Sequence, residues 1–220
     1  MPIIGDGMHL KRIEVENFKS FGGEMVIPFD EGFTAITGPN GSGKSNSGDA
    51  IQFVLGPKST KALRASNVSE LIFNGGGRGK AAKHMSVTLV FANVPEHDGR
   101  RRLRIDDDEV SFTRSVRLNR KGEPISSFRI GEKPSTATEM RRVLAEAGLR
   151  GDGYNIVLQG DVTNLATMTP HKRRGVLEEV AGVTAYDDEI RRANTQRKHV
   201  ESSIETVSYT HLRAHETSID

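Results

Sequence analysis

Cysteine and tryptophan are absent from this 220-residue chain, and aromatic residues make up only 5% of it. Without cysteine the chain forms neither disulfide bonds nor thiolate metal sites, a usage typical of intracellular proteins. Long apolar runs are also missing, since the run from Val87 to Val90 falls far short of the roughly 18 residues that a membrane span needs. No secretory signal is visible in residues 1–10. We therefore expect a cytoplasmic protein that has no membrane partner.

The chain also lacks a dominant sign of charge. It carries 31 basic and 29 acidic residues, a formal net charge of +2, so its global charge does not by itself indicate a polyanionic partner. Hydrophobic residues make up 35% of the chain, which is enough for the core of one soluble domain with or without an appendage.

Apolar periodicity predicts a mixed α/β domain. Strands are predicted over residues 13–15, 25–29, 33–37, 85–91, 110–118, 127–130 and 154–158, and helices over residues 44–55 and 138–147. The strand at 33–37 runs straight into a glycine-rich turn, and the strands at 110–118 and 127–130 suggest a small antiparallel sheet. Two residues break the pattern of their elements: Gly48 lies inside the first helix, and Arg114 interrupts the apolar alternation of its strand.

The last part of the chain changes to a heptad pattern. Residues that alternate spacings of four and three form a seam, with one basic interruption at Arg197. The seam consists of Tyr186, Ile190, Ala193, Arg197, Val200, Ile204 and Val207. We therefore predict a lobe over residues 1–185, the start of a coiled coil over 186–207, and an unrelated tail over 208–220 to which we assign no function.

A phosphate-binding loop is predicted between the strand at 33–37 and the helix at 44–55. The complete pattern is Gly38-Pro39-Asn40-Gly41-Ser42-Gly43-Lys44-Ser45. The glycines let backbone N–H groups converge on phosphate oxygens, Lys44 reaches the β- and γ-phosphates, and the Ser45 hydroxyl addresses Mg²⁺. The alternative is a glycine-rich turn that binds nothing, but the complete pattern in this setting favours a bound nucleoside triphosphate.

The acidic residue that hydrolysis needs is missing. A P-loop ATPase places an acid at the end of a second apolar strand, where it helps to hold Mg²⁺. Residues 156–161 are the nearest match, and they place Gln159 at that position. The acidic run 106–109 follows the basic run 100–104 and is better interpreted as a solvated turn. We therefore expect that the chain cannot hydrolyse ATP alone.

Further motifs carry a resemblance to a known family. They are Phe18-Lys19-Ser20-Phe21, the P-loop with Asn46, Asp49-Ala50-Ile51, Phe53-Val54-Leu55-Gly56, Leu63-Arg64-Ala65, Ile72-Phe73-Asn74-Gly75, Val157-Leu158-Gln159-Gly160, Arg173-Arg174 and Glu178-Glu179-Val180-Ala181-Gly182. In this order, over residues 8–207, they resemble the N-terminal head segment of structural maintenance of chromosomes (SMC) proteins. Ser47, Gly48 and the tail after Val207 depart from the family pattern.

The resemblance implies the N-terminal lobe of an ABC-type ATPase head with the P-loop NTPase fold. It implies that a C-terminal segment of the same long chain supplies the catalytic acid and the signature loop. Two such heads, here a homodimer, close around ATP, and a kleisin-type subunit binds the coiled-coil root after Tyr186. The implied role is chromosome condensation, organisation and segregation on DNA, within the cytoplasm at the nucleoid.

The resemblance also assigns roles to residues. Gln159 resembles the Q-loop glutamine, which ligates Mg²⁺ and senses the γ-phosphate, and Arg64 resembles an arginine finger. Each has a plain alternative, since Gln159 could simply close a strand and Arg64 could be an exposed loop residue. Asp49 is expected to support the P-loop. The predicted sites are therefore catalytic Lys44, Gln159 and Arg64; nucleotide-binding Gly38, Pro39, Asn40, Gly41, Ser42, Gly43, Lys44, Ser45, Asn46 and Gln159; and metal-binding Ser45 and Gln159.

Sequence-independent DNA contacts are expected from basic residues near the loops and the coiled-coil root, although such residues are more often solvated. The candidates are Lys58, Lys61, Lys80, Lys83, Arg191, Arg192, Arg197 and Lys198. Three other functions stay open at this point. They are a coiled-coil DNA-repair ATPase with a zinc hook, a small P-loop kinase or GTPase, and a nucleotide binder that never turns over. A GTPase should carry an Asn-Lys-x-Asp motif, and the sequence has none.

Overall fold

The computed structural model describes residues 8–56, 63–77, 79–149, 167–180, 190, 193–204 and 206. The chain divides into two compact units, Met1–Leu158 and Gln159–Asp220. The first unit is built on an antiparallel six-stranded sheet whose strands lie in the order β2-β1-β3-β4-β5-β6. The strands are β1 (Leu10–Phe18), β2 (Phe21–Pro28), β3 (His84–Ala92), β4 (Glu109–Leu118), β5 (Pro124–Ile130) and β6 (Lys133–Ser135).

Helix α1 (Lys44–Leu55) covers the apolar face of this sheet. Alternate residues of the central strands point into the core, among them Ile13, Leu89 and Phe112, each fully buried. Phe53 of α1 packs on Phe18 with ring centroids 5.4 Å apart. Burial of an aromatic or aliphatic side chain of this size contributes about 1.5–3 kcal/mol, so the packing of α1 on the sheet stabilises this lobe.

The bounds of α1 agree with the sequence prediction because a glycine lies at each end. Gly43 precedes the helix with φ 95°, and Gly56 follows it with φ 81°. Both conformations are left-handed, which glycine adopts without strain and which end a right-handed helix. The N–H of Gly56 donates to the carbonyl of Gln52 and closes the last turn.

Helix α2 (Ala137–Glu146) follows β6. The hydroxyl of Thr136 accepts a hydrogen bond from the N–H of Glu139, and this capping contact fixes where the helix begins. Met140 and Leu144 are buried, one turn apart on the same face. The predicted helix over 138–147 is therefore confirmed.

The strand predicted over 33–37 is not formed. Phe33 is 94% exposed and Ile36 is 43% exposed, which is unusual for apolar residues that lead into a phosphate-binding loop. A strand is stable only when its backbone groups bond to a neighbouring strand. Within the described part of the chain, no strand pairs with this segment, so its pattern lacks the partner that would make it a strand.

The described part of the second unit is helical. Helix α3 (Pro170–Val180) carries an Arg174–Glu178 ion pair one turn apart. Residues 193–204 are also helical, and the seam residues Val200 and Ile204 are more than half exposed. The predicted strand at 154–158, Tyr186, Val207 and the tail 208–220 lie outside the described residues. Of the helices described here, none has both the length and the apolar character needed to cross a membrane.

Candidate nucleotide-binding site

Glycine is required at several points of the loop that precedes α1. Gly41 and Gly43 have φ angles of 84° and 95°, which strain any residue with a side chain. A Cβ atom on Gly38 would lie 2.7 Å from Ser42 Oγ, and one on Gly43 would lie 2.8 Å from the ring of Phe21. The loop therefore presents bare backbone on its open side, as a cradle for phosphate oxygens must.

The loop ends at the positive end of α1. Gly43 has no side chain to cap the helix, and the first turn contains no acidic residue. The N–H groups of Asn46 and Ser47 donate to the Gly43 carbonyl at 2.8 and 3.1 Å, which holds the first turn in register with the loop. Because the helix dipole is not neutralised there by an acidic side chain, this end favours an anion.

Lys44 lies across the loop that it follows. Its Nζ donates to the carbonyls of Gly38 and Pro39, at 2.6 and 2.7 Å. Phosphate oxygens are stronger acceptors than these neutral carbonyls because their charge assists the hydrogen bond. The ammonium is thus held against the loop by two neutral carbonyls, which a charged phosphate oxygen could replace.

The Ser45 hydroxyl is in the next position and is exposed. Mg²⁺ prefers oxygen ligands and usually keeps several waters while it binds one or two protein groups and the substrate phosphates. Among the described residues, no group of three or more histidine and acidic side chains could hold a metal ion by itself. The donor set therefore fits a Mg²⁺ ion that arrives with a nucleotide.

The turn between β1 and β2 contacts the start of α1. Asn46 Nδ2 donates to Ser20 Oγ at 2.7 Å, and Lys19 Nζ donates to Asp49 Oδ2 at 2.5 Å. Lys19 Nζ also donates to the Leu63 carbonyl at 2.6 Å, and the guanidinium of Arg64 bonds to the same Asp49 oxygen. The sequence motifs around Lys19, Asp49 and Arg64 therefore meet in one cluster.

The pairing of Asp49 with both Lys19 and Arg64 was not predicted from the sequence. Asp49 was expected to support the P-loop, and the structure places it in α1 at 3% exposure. The only available signal was its position on the buried face of the helix, five residues after Lys44. Arg64 was expected in an exposed setting or at the nucleotide; its side chain is 53% exposed, with its guanidinium on Asp49.

The other end of α1 is held by Arg114 of β4. Its Nη1 donates to the carbonyl of Phe53 at 2.9 Å, and its guanidinium stacks 4.3 Å from the Phe53 ring and 5.4 Å from that of Phe128. Burial lowers the pKa of Arg114, and the nearby positive charge of Arg141 lowers this pKa further. The break in the apolar alternation of β4 is thus a cation that donates to one carbonyl, that of Phe53, in the last turn of α1.

Only some of the predicted contact residues lie in the described part of the chain. Gln159, Lys58, Lys61, Arg191 and Arg192 lie outside it. The other DNA candidates, Lys80, Lys83, Arg197 and Lys198, are exposed.

Three arginines of the basic run 100–104 form ion pairs with acidic residues of the same loop. Arg100 pairs with Asp98, Arg101 with Asp108, and Arg102 with Glu96.

The glycine cradle, the lysine across it and the helix behind it define the class of protein as a P-loop nucleotide-binding α/β domain. Residues 9–153 match the model of the RecF/RecN/SMC N-terminal domain, and the chain belongs to this family. It is 41% identical over 200 residues to the chromosome partition protein Smc of Pyrococcus furiosus. That match covers 90% of this chain and only 16% of the relative, so the chain spans about a sixth of the length of that relative.

Solved structures show the same lobe. One comes from work on ATP-driven dimerization and DNA-stimulated activation of SMC ATPases; it is 44% identical, with a TM-score of 0.68, and the match covers 78% of this chain and 99% of that one. Another is the Smc head domain of Pyrococcus furiosus with an extended coiled coil, bound to the C-terminal domain of ScpA. It is 41% identical, with a TM-score of 0.74, over 91% of this chain and 48% of that one. The fold is therefore that of the N-terminal lobe of an SMC head.

Proposed function

We propose that this chain is the ATP-binding half of an SMC-type ATPase head, which drives ATP-dependent engagement of two heads for chromosome condensation, organisation and segregation. The observation that carries the proposal is the position of Lys44, held over a loop of obligatory glycines at the start of α1. Membership of the SMC family supports the assignment of this cradle to ATP.

The residues of the cradle have distinct tasks in this proposal. The loop N–H groups and the N-terminus of α1 bind the α- and β-phosphate oxygens, and Lys44 neutralises charge between the β- and γ-phosphates. Ser45 orients Mg²⁺, and Asn46 adds a polar contact at the start of the helix. When bound, Mg²⁺-ATP supplies the phosphoanhydride bond that is to be cleaved. Gln159 is proposed as a second Mg²⁺ ligand and Arg64 as a positive charge near the phosphates.

Hydrolysis is proposed to need a C-terminal segment of the same protein. The exposed apolar residues Phe33 and Ile36 directly precede the P-loop and have the sequence pattern of a strand. A strand added alongside them would satisfy their backbone groups and bring an acidic residue to the γ-phosphate side. The chain is thus proposed to be half of a split domain, with an incomplete active site.

We expect that the chain alone binds Mg²⁺-ATP weakly and hydrolyses it negligibly, and that adding the C-terminal segment restores turnover. Lys44→Ala should abolish turnover of the completed head and weaken Mg²⁺-ATP binding about 10- to 100-fold, because it removes charge-assisted hydrogen bonds worth about 1.5–3 kcal/mol. Calorimetry and phosphate release measure the two effects. Glu139→Gln, on the exposed face of α2, is the matched control and should change neither. Robust hydrolysis by the isolated chain would refute the proposal.

A second head of the same kind, a kleisin-type subunit and DNA are the proposed partners, at the nucleoid in the cytoplasm. One related head structure contains a domain of ScpA, which supports a kleisin-type partner. We propose the coiled-coil root after Tyr186 as its site. The exposed residues Lys80, Lys83, Arg197 and Lys198 are candidates for contacts with DNA phosphates.

Such DNA contacts release counterions, so the affinity of the completed head for DNA should fall steeply between low and moderate salt and should not depend on base sequence. Fluorescence anisotropy with two unrelated duplexes measures both properties. An affinity that stays constant with salt would reject binding dominated by phosphates.

A further inference from the structure

Two residues of the first unit that have an unfavourable backbone conformation both bond to the side chain of Asp49. Three non-glycine residues of the described chain have positive φ: Asn17 at 51°, Lys19 at 52° and Arg64 at 55°. Residues with a Cβ are strained in this region, and such strain persists only where the surroundings enforce it, often at functional sites. Asn17 has a local explanation, because its Oδ1 accepts a hydrogen bond from the N–H of Gly23 within the same turn. Lys19 and Arg64 instead both end on Asp49.

The carboxylate of Asp49 lies deep in the lobe. Its side chain is 4% exposed, and Lys19, at 14% exposure, places Nζ 2.5 Å from Oδ2. A buried carboxylate stays charged only where opposite charge and hydrogen bonds replace its lost hydration, and Lys19 and Arg64 provide both to Asp49. Lys19 also bonds to the Leu63 carbonyl, so it fixes the backbone next to Arg64 while Asp49 fixes the guanidinium.

Asp49 and Lys44 belong to the same rigid helix. Five residues separate them, which is about 7.5 Å along the helix axis, so a group held by Asp49 is held at a fixed distance from the phosphate cradle. One Nη of Arg64 bonds to Asp49, and a guanidinium has five N–H donors. With a side chain that is 53% exposed, Arg64 can keep this anchor and still present other donors towards a bound anion.

We propose that Asp49 is a positioning residue for Arg64: it anchors the guanidinium to the P-loop helix so that its positive charge is aimed at the triphosphate. This inference rests on the proposed function, because it needs a nucleotide in the cradle. The competing explanation is that Asp49 only stabilises the lobe by neutralising buried Lys19. The two explanations differ in whether the effect of Asp49 depends on Arg64.

The test is a double-mutant cycle in the head completed by its C-terminal segment. Asp49→Asn keeps the side-chain shape and removes the charge. We expect its kcat to fall on the order of 10- to 100-fold, the loss typical of a misplaced catalytic group, with the KM for ATP nearly unchanged. Arg64→Ala should lower kcat at least as much. In the Arg64→Ala background, Asp49→Asn should cause no further loss.

Glu109→Gln is the matched control. Glu109 also accepts hydrogen bonds from two cations, Lys11 and Arg12, but at the surface of the sheet. Its variant should keep the kcat of the parent head in both backgrounds. Mg²⁺-ATP affinity and the melting temperature are measured for every variant, so that a folding defect is recognised separately from a kinetic one.

If Asp49→Asn leaves Lys19 uncompensated and the head does not fold, the pair variant Lys19→Met/Asp49→Asn removes both charges and enters the same cycle. Equal losses of kcat with and without Arg64 would overturn the positioning role, as would an unchanged kcat in Asp49→Asn. Absence of Mg²⁺-ATP binding in the parent head would instead sink the proposed function, so the two failures are distinguishable.

Discussion

Gly48→Ala should stabilise the chain. Gly48 lies inside α1 with helical backbone, and a Cβ atom added there would meet no atom within 4 Å outside the local helix backbone. The substitution therefore carries no steric cost, and it restricts the unfolded chain. Glycine inside a helix costs roughly 0.5–1 kcal/mol relative to alanine. For a chain of this size, 1 kcal/mol corresponds to about 2–4 °C, so the melting temperature should rise by about 1–4 °C.

Gly43→Ala, at the start of the same helix, is the opposite case. Its φ of 95° is unfavourable for alanine, and the new Cβ would lie 2.8 Å from the Phe21 ring. The left-handed conformation alone costs about 1–2 kcal/mol, so the melting temperature should fall by several degrees. Differential scanning fluorimetry of the 220-residue chain measures both variants. A melting temperature of Gly48→Ala at or below that of the parent would contradict this prediction, because no atom outside the local helix backbone lies within 4 Å of the new Cβ.

Two further predictions concern charged side chains. Arg114→Met should lower the free energy of unfolding by roughly 2 kcal/mol, since it removes a stacked cation and a charged hydrogen bond to the Phe53 carbonyl while it keeps an apolar stem. Urea denaturation measures this change, and an unchanged midpoint would contradict the prediction. Hydrogen bonds from Lys11 and then Arg12 hold the pKa of Glu109 below its ordinary value. The charged carboxylate therefore stabilises the fold at pH values above the ordinary pKa, and this stabilisation is lost as the pH falls through the pKa that Glu109 has in the folded protein. The stability difference between the parent and Glu109→Gln should therefore shrink as pH falls from 7 to 3, and a difference that grows would contradict this.

Local sequence signals predicted the elements that local chemistry determines. The bounds of α1 agree with those predicted from apolar periodicity, and the left-handed backbone of Gly43 and Gly56 flanks the helix on both sides. The strands β3, β4 and β5 followed from their apolar residues, whereas β1 and β2 are longer than predicted and β6 was not predicted. The conformation of the loop before α1 also depends on glycines within one short segment, Gly41 and Gly43 among them. Its role in binding phosphate stays a prediction.

Interactions between distant segments were not predictable in this way. In the sequence, Arg114 only interrupts the apolar alternation of its strand. The position of α1 across the sheet shows that its guanidinium donates to the Phe53 carbonyl. The sequence analysis predicted no role for Asn93. Its fully buried side-chain amide donates to the carbonyls of Leu103, Ile105 and Asp107 and so holds the connection between β3 and β4. Nothing in the spacing of Lys19, Asp49 and Arg64 indicates that they share one carboxylate, because sequence distance does not encode such tertiary contacts.

Segment 33–37 has the apolar pattern of a strand but does not form one. Its apolar residues predict a strand, whereas Phe33 is 94% exposed. Burial of an aromatic side chain is favourable by about 1.5–3 kcal/mol, and the described residues of the lobe leave Phe33 without this contribution. The pattern is therefore best explained as half of an interaction whose other half belongs to the proposed C-terminal segment. Pairing of the proposed C-terminal segment with residues 33–37 would then complete a strand and bring the missing acidic residue to the P-loop. Completion of the fold and assembly of the catalytic site would be one event.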